Sequence, residues 1–215
     1  MKKLHTLIIF LLLVLNASVS FTKNPYLPGD FVFTSRQYYS VYIMDQGRSS
    51  VEDLTAMLLF YNPTLKDAFA KEMALIYFEE SMDEGVNHDI AFCQMILETG
   101  FLNFGGSVLR QQNNFCGLGA TGGMVRGEKF PDIRTGVRAH IQHLKAYASS
   151  DNINKESVDK RFRFVKRGTA PTIYALPGKW AADPDYDHKL EGLLQRLFAL
   201  KSMMAVQQYA HIPVY

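Results

Sequence analysis

The feature that most constrains the fold is the segment from His88 to Glu98, which reads HDIAFCQMILE. Drawn as a helix, this segment is apolar on nearly every face, and Asn87 before it is a favourable N-cap residue. A helix that is apolar nearly all round is buried in a globular protein. We therefore predict a central helix that begins after Asn87 and is surrounded by the other elements.

Helix start and stop signals predict two helices before the central one. Ser49 and Glu52 have the spacing of a capping box, and apolar residues then recur at helical spacing as far as Asn62-Pro63. Thr64 is expected to cap a second helix, which Gly85 closes. Both helices have apolar positions with which to cover the central one.

After the central helix we predict a polar loop, a short hairpin and two further helices. Residues 124–130 suggest a hairpin that turns near Arg126-Gly127, and Pro131-Asp132 ends it. A helix with one apolar face follows as far as Ala148, and a final helix is predicted from about Tyr186 to Leu200. The predicted fold class is therefore mainly α, with one small β-hairpin lobe.

The first twenty residues have the organisation of a secretory signal peptide. Lys2 and Lys3 precede an apolar run from Leu7 to Leu15, and small residues follow at 17–20. The run is short for a membrane span, so an uncleaved anchor is the less favoured alternative. We expect an exported protein, periplasmic or extracellular, with no stable membrane insertion after cleavage.

The rest of the chain divides into three parts. Residues 21–48 are aromatic and β-prone, and we predict either short strands or an extended arm of unknown role that lies on the domain. Residues 49–203 form the predicted domain, and residues 204–215 a C-terminal tail.

Charge argues against two classes of partner. The chain has 23 Lys and Arg against 21 Asp and Glu, and the leader holds two of the basic residues and none of the acidic ones. The exported part is therefore formally neutral, which gives no indication of binding to nucleic acid or to an anionic membrane surface.

Glu98 is the candidate catalytic acid. It ends the apolar helix, where a charge is costly unless it is paired or functional, and no Lys or Arg lies three or four residues away. Desolvation and the negative end of the helix dipole both favour the protonated carboxyl, so we expect a raised pKa. Such a carboxyl is a usable general acid. The alternative is a glutamate that merely faces solvent at a helix end.

The loop after this helix suits an uncharged polar ligand. Residues 111–114 read QQNN and supply neutral donors and acceptors, Phe115 offers an apolar face, and Gly117 and Gly119 let the backbone approach a ligand closely. A few placed polar groups in an apolar cleft are typical of sugar sites. A purely structural Asx-rich loop is the alternative.

Four short motifs in order carry a family resemblance. They are Glu98-Thr99-Gly100, the segment NNFCGLG at 113–119, Phe130-Pro131-Asp132 with the helix that ends at Tyr147-Ala148, and the segment WAADPDY at 180–186. Together they resemble the bacterial glucosaminidases of glycoside hydrolase family 73, the peptidoglycan autolysin type, over roughly residues 65–200.

The resemblance implies a lysozyme-like fold and particular roles for the matched residues. Glu98 takes the position of the family's catalytic acid. The loop from Asn114 and Phe115 to Gly117 takes the place of the loop that lines the cleft, and Trp180 replaces an aromatic residue that is usually tyrosine. Gln112 and Tyr147, which lie in or beside the matched motifs, join them as candidate substrate-binding residues, and Tyr186 as a structural one.

A second carboxylate is expected for glycoside hydrolysis. Glu128 lies in the predicted hairpin, where the resemblance places it, and Asp132 is the other nearby acid, with a helix cap as its simpler role. If neither serves, the N-acetyl group or the 6-hydroxyl of the substrate can act instead. His140 and His143 have a spacing that could hold a metal, but no third ligand is evident, so no metal or other cofactor is predicted.

The two cysteines, Cys93 and Cys116, are a disulfide candidate. The resemblance brings the loop that carries Cys116 close to the helix that carries Cys93, and relatives commonly have alanine at both positions. Two buried free thiols are the alternative.

The predicted function is thus an endo-acting N-acetylglucosaminidase on the β-1,4 bonds of peptidoglycan, associated with the cell wall. Alternatives are a muramidase or lytic transglycosylase on the same polymer, a non-catalytic glycan-binding module, and a secretion or assembly accessory that uses residues 21–48. The expected partner is the peptidoglycan glycan strand, and no protein partner is identified.

Overall fold

The computed structural model describes residues 39–105, 108–120 and 127–209, and helices dominate them. The α-helices are α1 (Val51–Tyr61), α2 (Asp67–Glu84), α3 (His88–Thr99), α4 (Ile133–Ala148) and α5 (Tyr186–Tyr209). Three short 3₁₀ turns lie between them, at Arg110–Gln112, Phe162–Phe164 and Ile173–Ala175. The mainly α prediction is confirmed. No helix in the described ranges has the length and apolar character needed to cross a bilayer.

Helix α3 is the centre of the domain. Ten of its twelve residues are buried, and α2, α4 and α5 all contact it. The burial follows from a sequence in which only His88, Asp89, Gln94, Glu98 and Thr99 are polar. The predicted central helix is therefore confirmed, and it fixes the position of Glu98 at its carboxyl end.

The helix boundaries agree with the sequence signals at three of five caps. Gly85 adopts the left-handed conformation that ends α2, with φ 71°, and Asn87 caps α3 by accepting hydrogen bonds from two backbone N–H groups. Asp132 caps α4 by accepting from the Thr135 N–H at 2.8 Å. Such a cap typically contributes about 1 kcal/mol.

The two remaining caps were predicted wrongly. The capping box of α1 uses Ser50 and Asp53 rather than Ser49 and Glu52. Ser49 is instead buried, and its N–H donates to the Asp89 carboxylate at 3.2 Å. Thr64 does not cap α2, because its hydroxyl donates to the Asn62 side chain at 2.6 Å within the turn that precedes the helix.

The predicted β-hairpin lobe is not observed. Residues 127–130 run extended beside the 112–118 loop, and the Glu128 N–H donates to the Leu118 carbonyl at 2.7 Å, but they form no strand. The neighbouring carbonyls accept from the side-chain amides of Gln112 and Asn114. These amides take the place of a strand partner. Residues 124–126 of the predicted turn lie outside the described residues.

Residues 39–48 pack against the helical domain. Ile43 is fully buried, and its backbone bonds to two segments, the carbonyl of Pro171 at 3.0 Å and the N–H of Asn87 at 2.8 Å. The predicted signal peptide and residues 21–38 of the predicted arm lie outside the described residues, as do residues 210–215. Helix α5 extends to Tyr209, beyond the predicted end near Leu200 and into the predicted tail.

Candidate active site

A cleft of about 260 Å³ opens at the carboxyl end of α3. Its walls come from the end of α3, from the two loops that follow and from the turn before α5. The residues that line it are Glu98, Thr99, Phe104, Val108, Asn114, Cys116, Gly117, Ala120, Trp180 and Ala181. Glu98 is the only carboxylate among these lining residues.

The two oxygens of Glu98 have different surroundings. Oε1 accepts two hydrogen bonds, from the Tyr186 hydroxyl at 2.6 Å and from the Trp180 indole N–H at 3.1 Å. Oε2 accepts no hydrogen bond from any described residue and lies 3.9 Å from the point where a Cβ on Gly117 would sit. Oε2 is therefore the oxygen free to meet a ligand.

The pKa of Glu98 is raised, in the direction expected from the sequence. Burial among protein atoms is the main cause, and the hydrogen bonds from Tyr186 and Trp180 oppose it. The side chain still exposes a substantial part of its surface to the cleft. A carboxyl that is poorly hydrated yet open on one side can hold a proton and pass it to a bound group.

The chain immediately after Glu98 adopts a conformation that is costly for most residues. Gly100, Phe101 and Leu102 all have positive φ, at 57°, 57° and 65°. Two side chains stabilise this left-handed segment, since the Asn62 amide donates to the Phe101 carbonyl and the Arg110 guanidinium to the Leu102 carbonyl, each at 2.8 Å. Residues with such backbone strain cluster at functional sites.

The amide-rich loop has a structural role rather than a mainly ligand-binding one. Gln112 is buried and donates to the Gly127 carbonyl at 2.8 Å. Asn114 is buried and bonds to both the N–H and the carbonyl of Leu118. Phe115 is buried in the main core against Phe104. Of the three predicted substrate-binding residues here, only Asn114 also lines the cleft.

Gly117 lies where the sequence placed it, on the cleft wall beside Glu98. Glu128, the predicted second carboxylate, does not line the cleft but lies nearby, with its Oε1 3.6 Å from the Cβ position of Gly119. Lys160 approaches the other Glu128 oxygen at 3.6 Å. The short 117–119 turn thus has Glu98 at one end and Glu128 at the other.

Trp180 is held by three aromatic rings. Its ring packs against those of His140, His143 and Tyr147 at centroid distances of 5.4–5.7 Å. Tyr147 donates its hydroxyl to the Lys179 carbonyl at 2.9 Å and does not line the cleft. Its position is that of a support for Trp180.

The matching family model covers residues 74–198, and its description is "Glucosaminidase: Mannosyl-glycoprotein endo-beta-N-acetylglucosaminidase". The chain belongs to the glucosaminidase family. It is therefore a glycoside hydrolase, an enzyme that hydrolyses glycan bonds. A protein of Borreliella burgdorferi (strain ATCC 35210), described as uncharacterized, is 48% identical over 162 residues, which are 75% of this chain and 79% of the relative. No solved structure matches the chain.

The two cysteines of this glucosaminidase are free thiols, so the predicted disulfide is absent from the structure. The reason is the helix geometry. Cys116 lies near Glu98, whose charge adds to burial in raising the pKa of the Cys116 thiol. Cys93 precedes Glu98 by five residues, which is about 140° around an α-helix. Its thiol is buried on the side of Asp89, whose charge with burial raises the pKa of Cys93.

The structure also places near Glu98 residues that the sequence did not single out as functional. Tyr186, expected to be structural, donates the shortest hydrogen bond to Glu98. Gln94 and His140 lie behind it in the core. A polar residue one helical turn before Glu98 on an otherwise apolar helix was the available signal for Gln94.

His140 and His143 do not form the polar rim that the sequence suggested. Both are buried, and burial, with a smaller effect of His143, lowers the pKa of His140 to about 3. His143 bonds to Asp159 at 2.7 Å. Within the described ranges, no three His, Cys, Asp or Glu side chains are grouped as a metal site requires.

Proposed function

We propose that the protein is an endo-acting N-acetylglucosaminidase that cuts β-1,4 bonds of peptidoglycan, with Glu98 as the general acid. The observation that carries the proposal is the Glu98 carboxyl, with a raised pKa, two donors on Oε1 and an Oε2 that faces the cleft. Family membership supplies the reaction class, the hydrolysis of a glycan bond.

The chemistry follows from this arrangement. Glu98 gives its proton to the glycosidic oxygen, the bond from that oxygen to the anomeric carbon breaks, and water supplies the new hydroxyl at that carbon. The carboxylate left behind keeps its hydrogen bonds from Tyr186 and Trp180. Because hydrogen bonds to an ionised acceptor are stronger than neutral ones, these donors favour the product state of the proton transfer.

Glu128 is the proposed base that activates the water. Its place at the far end of the 117–119 turn from Glu98 supports this role. In inverting glycosidases the two carboxyls stand about 6.5–9.5 Å apart to leave room for water, against about 5–5.5 Å in retaining ones. A carboxylate set back from the cleft agrees better with the wider spacing.

A lytic transglycosylase is the second candidate, and the lining of the cleft favours it. Glu98 is the only carboxylate among the described lining residues, and the undescribed gaps at 106–107 and 121–126 contain no Asp or Glu. An enzyme with one carboxyl can use the 6-hydroxyl of the sugar as the nucleophile. It would leave an anhydro sugar end instead of a reducing end.

The test is mass spectrometry of purified peptidoglycan after digestion by the wild type and by three variants. Glu98→Gln keeps the shape but removes the acid, and Glu128→Gln removes the proposed base. Glu52→Gln, an exposed change in the first turn of α1, is the matched control. The proposal predicts fragments with reducing N-acetylglucosamine ends from the wild type and the control, none from Glu98→Gln, and a large loss with Glu128→Gln.

The other outcomes assign the alternatives. Anhydro ends that persist in Glu128→Gln would establish the transglycosylase, and reducing N-acetylmuramic acid ends a muramidase. An absence of fragments from the wild type, with retained binding, would leave a glycan-binding module.

We also propose export to the periplasm or the cell exterior, which the signal-peptide pattern of residues 1–20 supports. N-terminal sequencing of the protein from fractionated cells tests it. A mature chain that begins near residue 21 is expected, and a chain that retains Met1 in the cytoplasmic fraction would contradict it.

A further inference from the structure

A continuous chain of hydrogen bonds runs from the core to Glu98. The Tyr77 hydroxyl bonds to His140 Nδ1 at 2.9 Å, and His140 Nε2 bonds to the Gln94 carbonyl oxygen Oε1 at 2.9 Å. The Gln94 amide nitrogen Nε2 bonds to the Tyr186 hydroxyl at 2.8 Å, and that hydroxyl bonds to Glu98 Oε1 at 2.6 Å. These residues come from α2, α3, α4 and α5, so the hydrogen bonds link four of the five described α-helices.

The far end of the chain fixes its direction. Tyr77 is fully buried, and its hydroxyl has His140 as its one hydrogen-bond partner in the described chain. A buried O–H without an acceptor costs about 1–3 kcal/mol. Tyr77 must therefore donate, and His140 Nδ1 must accept.

The directions of the hydrogen bonds at His140 and Gln94 are then determined. A neutral imidazole that accepts at one nitrogen donates at the other, so Nε2 carries the proton of His140 and donates to Gln94 Oε1. Burial keeps His140 in this neutral form, since it lowers the pKa of His140 to about 3. With its oxygen occupied, Gln94 presents only N–H groups to Tyr186, whose oxygen accepts and whose proton points to Glu98.

The near end is fixed a second time by Trp180. An indole N–H can only donate, and it donates to the same oxygen, Oε1, at 3.1 Å. Oε1 thus accepts two hydrogen bonds, which leaves no lone pair for a bound proton. The other oxygen, Oε2, faces the cleft with no donor from the described residues.

We propose that Tyr77, His140, Gln94 and Tyr186 form a one-way hydrogen-bond chain that keeps Oε1 of Glu98 an acceptor and places the reactive proton on Oε2. Tyr77, His140 and Gln94 are then positioning residues for proton transfer, although none of them lines the cleft. The inference rests on the proposed function only for the destination of the proton, the glycosidic oxygen.

The chain also affects the state after transfer. When the proton leaves Oε2, both donors to Oε1 remain aimed at the new carboxylate. If the Tyr77 hydroxyl were removed, His140 could adopt its other neutral tautomer. Gln94 could then rotate its amide, and Tyr186 could donate to Gln94 instead of to Glu98. Oε1 would lose a donor and could carry the proton itself, pointed away from the substrate.

Three titratable groups that interact with the charge of Glu98 leave this arrangement undisturbed at neutral pH. They are Tyr186 on α5, Tyr77 on α2 and Cys116 on the loop, and the pKa of each is raised, chiefly by burial. All three are therefore neutral when Glu98 titrates. His143, the titratable group that acts on His140, lies on the side of Asp159.

Tyr77→Phe is the decisive variant because it removes one oxygen four hydrogen bonds from Glu98. We expect kcat to fall about tenfold with little change in KM, as for the loss of one buried hydrogen bond. We also expect the descending limb of the kcat/KM profile to move to higher pH, because the carboxylate of Glu98 loses a donor. Tyr39→Phe is the matched control, since its hydroxyl bonds to Glu191 away from the cleft.

Two substitutions at His140 distinguish the effect of its hydrogen bonds from the effect of its packing. His140→Gln retains a side-chain N–H that can reach Gln94, and His140→Met has similar bulk without a donor. We expect His140→Gln to recover most of the activity and pH profile that His140→Met loses. Equal losses in the two variants would overturn the proposal.

Infrared difference spectroscopy of the protonated Glu98 carboxyl, identified by its absence in Glu98→Gln, tests the proton position without turnover. In the wild type the C=O bond is at Oε1 and carries two hydrogen bonds, so its stretch should lie at low frequency. In Tyr77→Phe it should rise as the proton moves to Oε1. An unchanged frequency and pH profile in folded Tyr77→Phe would refute the chain, whereas an inactive wild type with the expected shift would refute only the proposed function.

Discussion

Gly136 on α4 gives the sharpest test of how the cleft is built. A Cβ placed on this glycine would lie 1.7 Å from the carbonyl oxygen of Asn113, where real contacts are not shorter than 3.0 Å. The helix and the 112–118 loop would have to separate by more than about 1 Å to admit a methyl group. Neither side can yield cheaply, because both contacts are backbone atoms and the loop is held by the amides of Gln112 and Asn114.

Gly136→Ala is therefore expected to destabilise the protein although alanine is the better helix former. Overpacking of a tight contact costs about 1–3 kcal/mol, and the helical preference for alanine returns about 0.5–1 kcal/mol. A rigid contact places the cost near its upper end, so we expect a net loss of about 2 kcal/mol in the free energy of unfolding. The displaced loop should also lower glycan hydrolysis.

Gly192→Ala on α5 is the matched control, because a Cβ there meets no atom within 4 Å. It should stabilise the protein by about 0.5–1 kcal/mol. Urea unfolding measures both variants, and unchanged m-values would show that the comparison is valid. If Gly136→Ala unfolds at the same urea concentration as the wild type or a higher one, the close contact between α4 and the loop is wrong.

Three further predictions concern buried groups. Lys145→Met should lower the free energy of unfolding by about 3 kcal/mol, because it leaves the fully buried Glu84 carboxylate without its cation at 2.9 Å, as urea unfolding will show. Burial raises the pKa of both thiols, so Cys93 and Cys116 should resist alkylation in the native protein, and mass spectrometry should find both alkylated after unfolding without a reductant. Because the pKa of Glu98 is raised in the folded state, its ionisation costs stability as pH rises through that pKa, so Glu98→Gln should raise the Tm relative to wild type at pH 7 but not at pH 4.

The sequence predicted those parts of the fold that depend on local signals. Asn87 and Gly85 marked helix ends correctly because capping and left-handed termination are properties of one or two residues. The predicted position of the α1 cap was wrong by one residue because Ser49 and Ser50 can both act as N-caps. The choice between them was made by Asp89, forty residues away, which holds the Ser49 N–H.

The sequence predicted that Glu98 and Gly117 lie at the candidate site, where both line the cleft, but it did not predict the structural role of the amides. Glu98 was a candidate because it is an unpaired glutamate at the end of an apolar helix, and the expected direction of its pKa was correct. A run of Asn and Gln looks alike whether its amides face a ligand or the backbone. Here Gln112 and Asn114 bond to carbonyls fourteen to sixteen residues ahead, and such pairing is a tertiary fact that residue types do not encode.

Backbone strain in the described chain is concentrated around Glu98. Seven of its ten residues with positive φ lie in the loops that flank the cleft, between residues 100 and 119. These seven include all four non-glycine residues of the ten, at 101, 102, 104 and 113. Strain of this kind persists only where surrounding contacts over-determine it. Those contacts are the hydrogen bonds from Asn62, Arg110, Gln112 and Asn114, all donated to backbone carbonyls of the two loops or their neighbours.

A cleft built in this way has little freedom to rearrange when a glycan enters. The donors to Oε1 of Glu98 are themselves held, Tyr186 by Gln94 and Trp180 by three aromatic rings. Dipoles that are already aimed at a developing charge stabilise it without a reorganisation cost. The structural amides and the strained loops therefore have the same effect. Both help to hold the Glu98 carboxyl in one orientation before the substrate arrives.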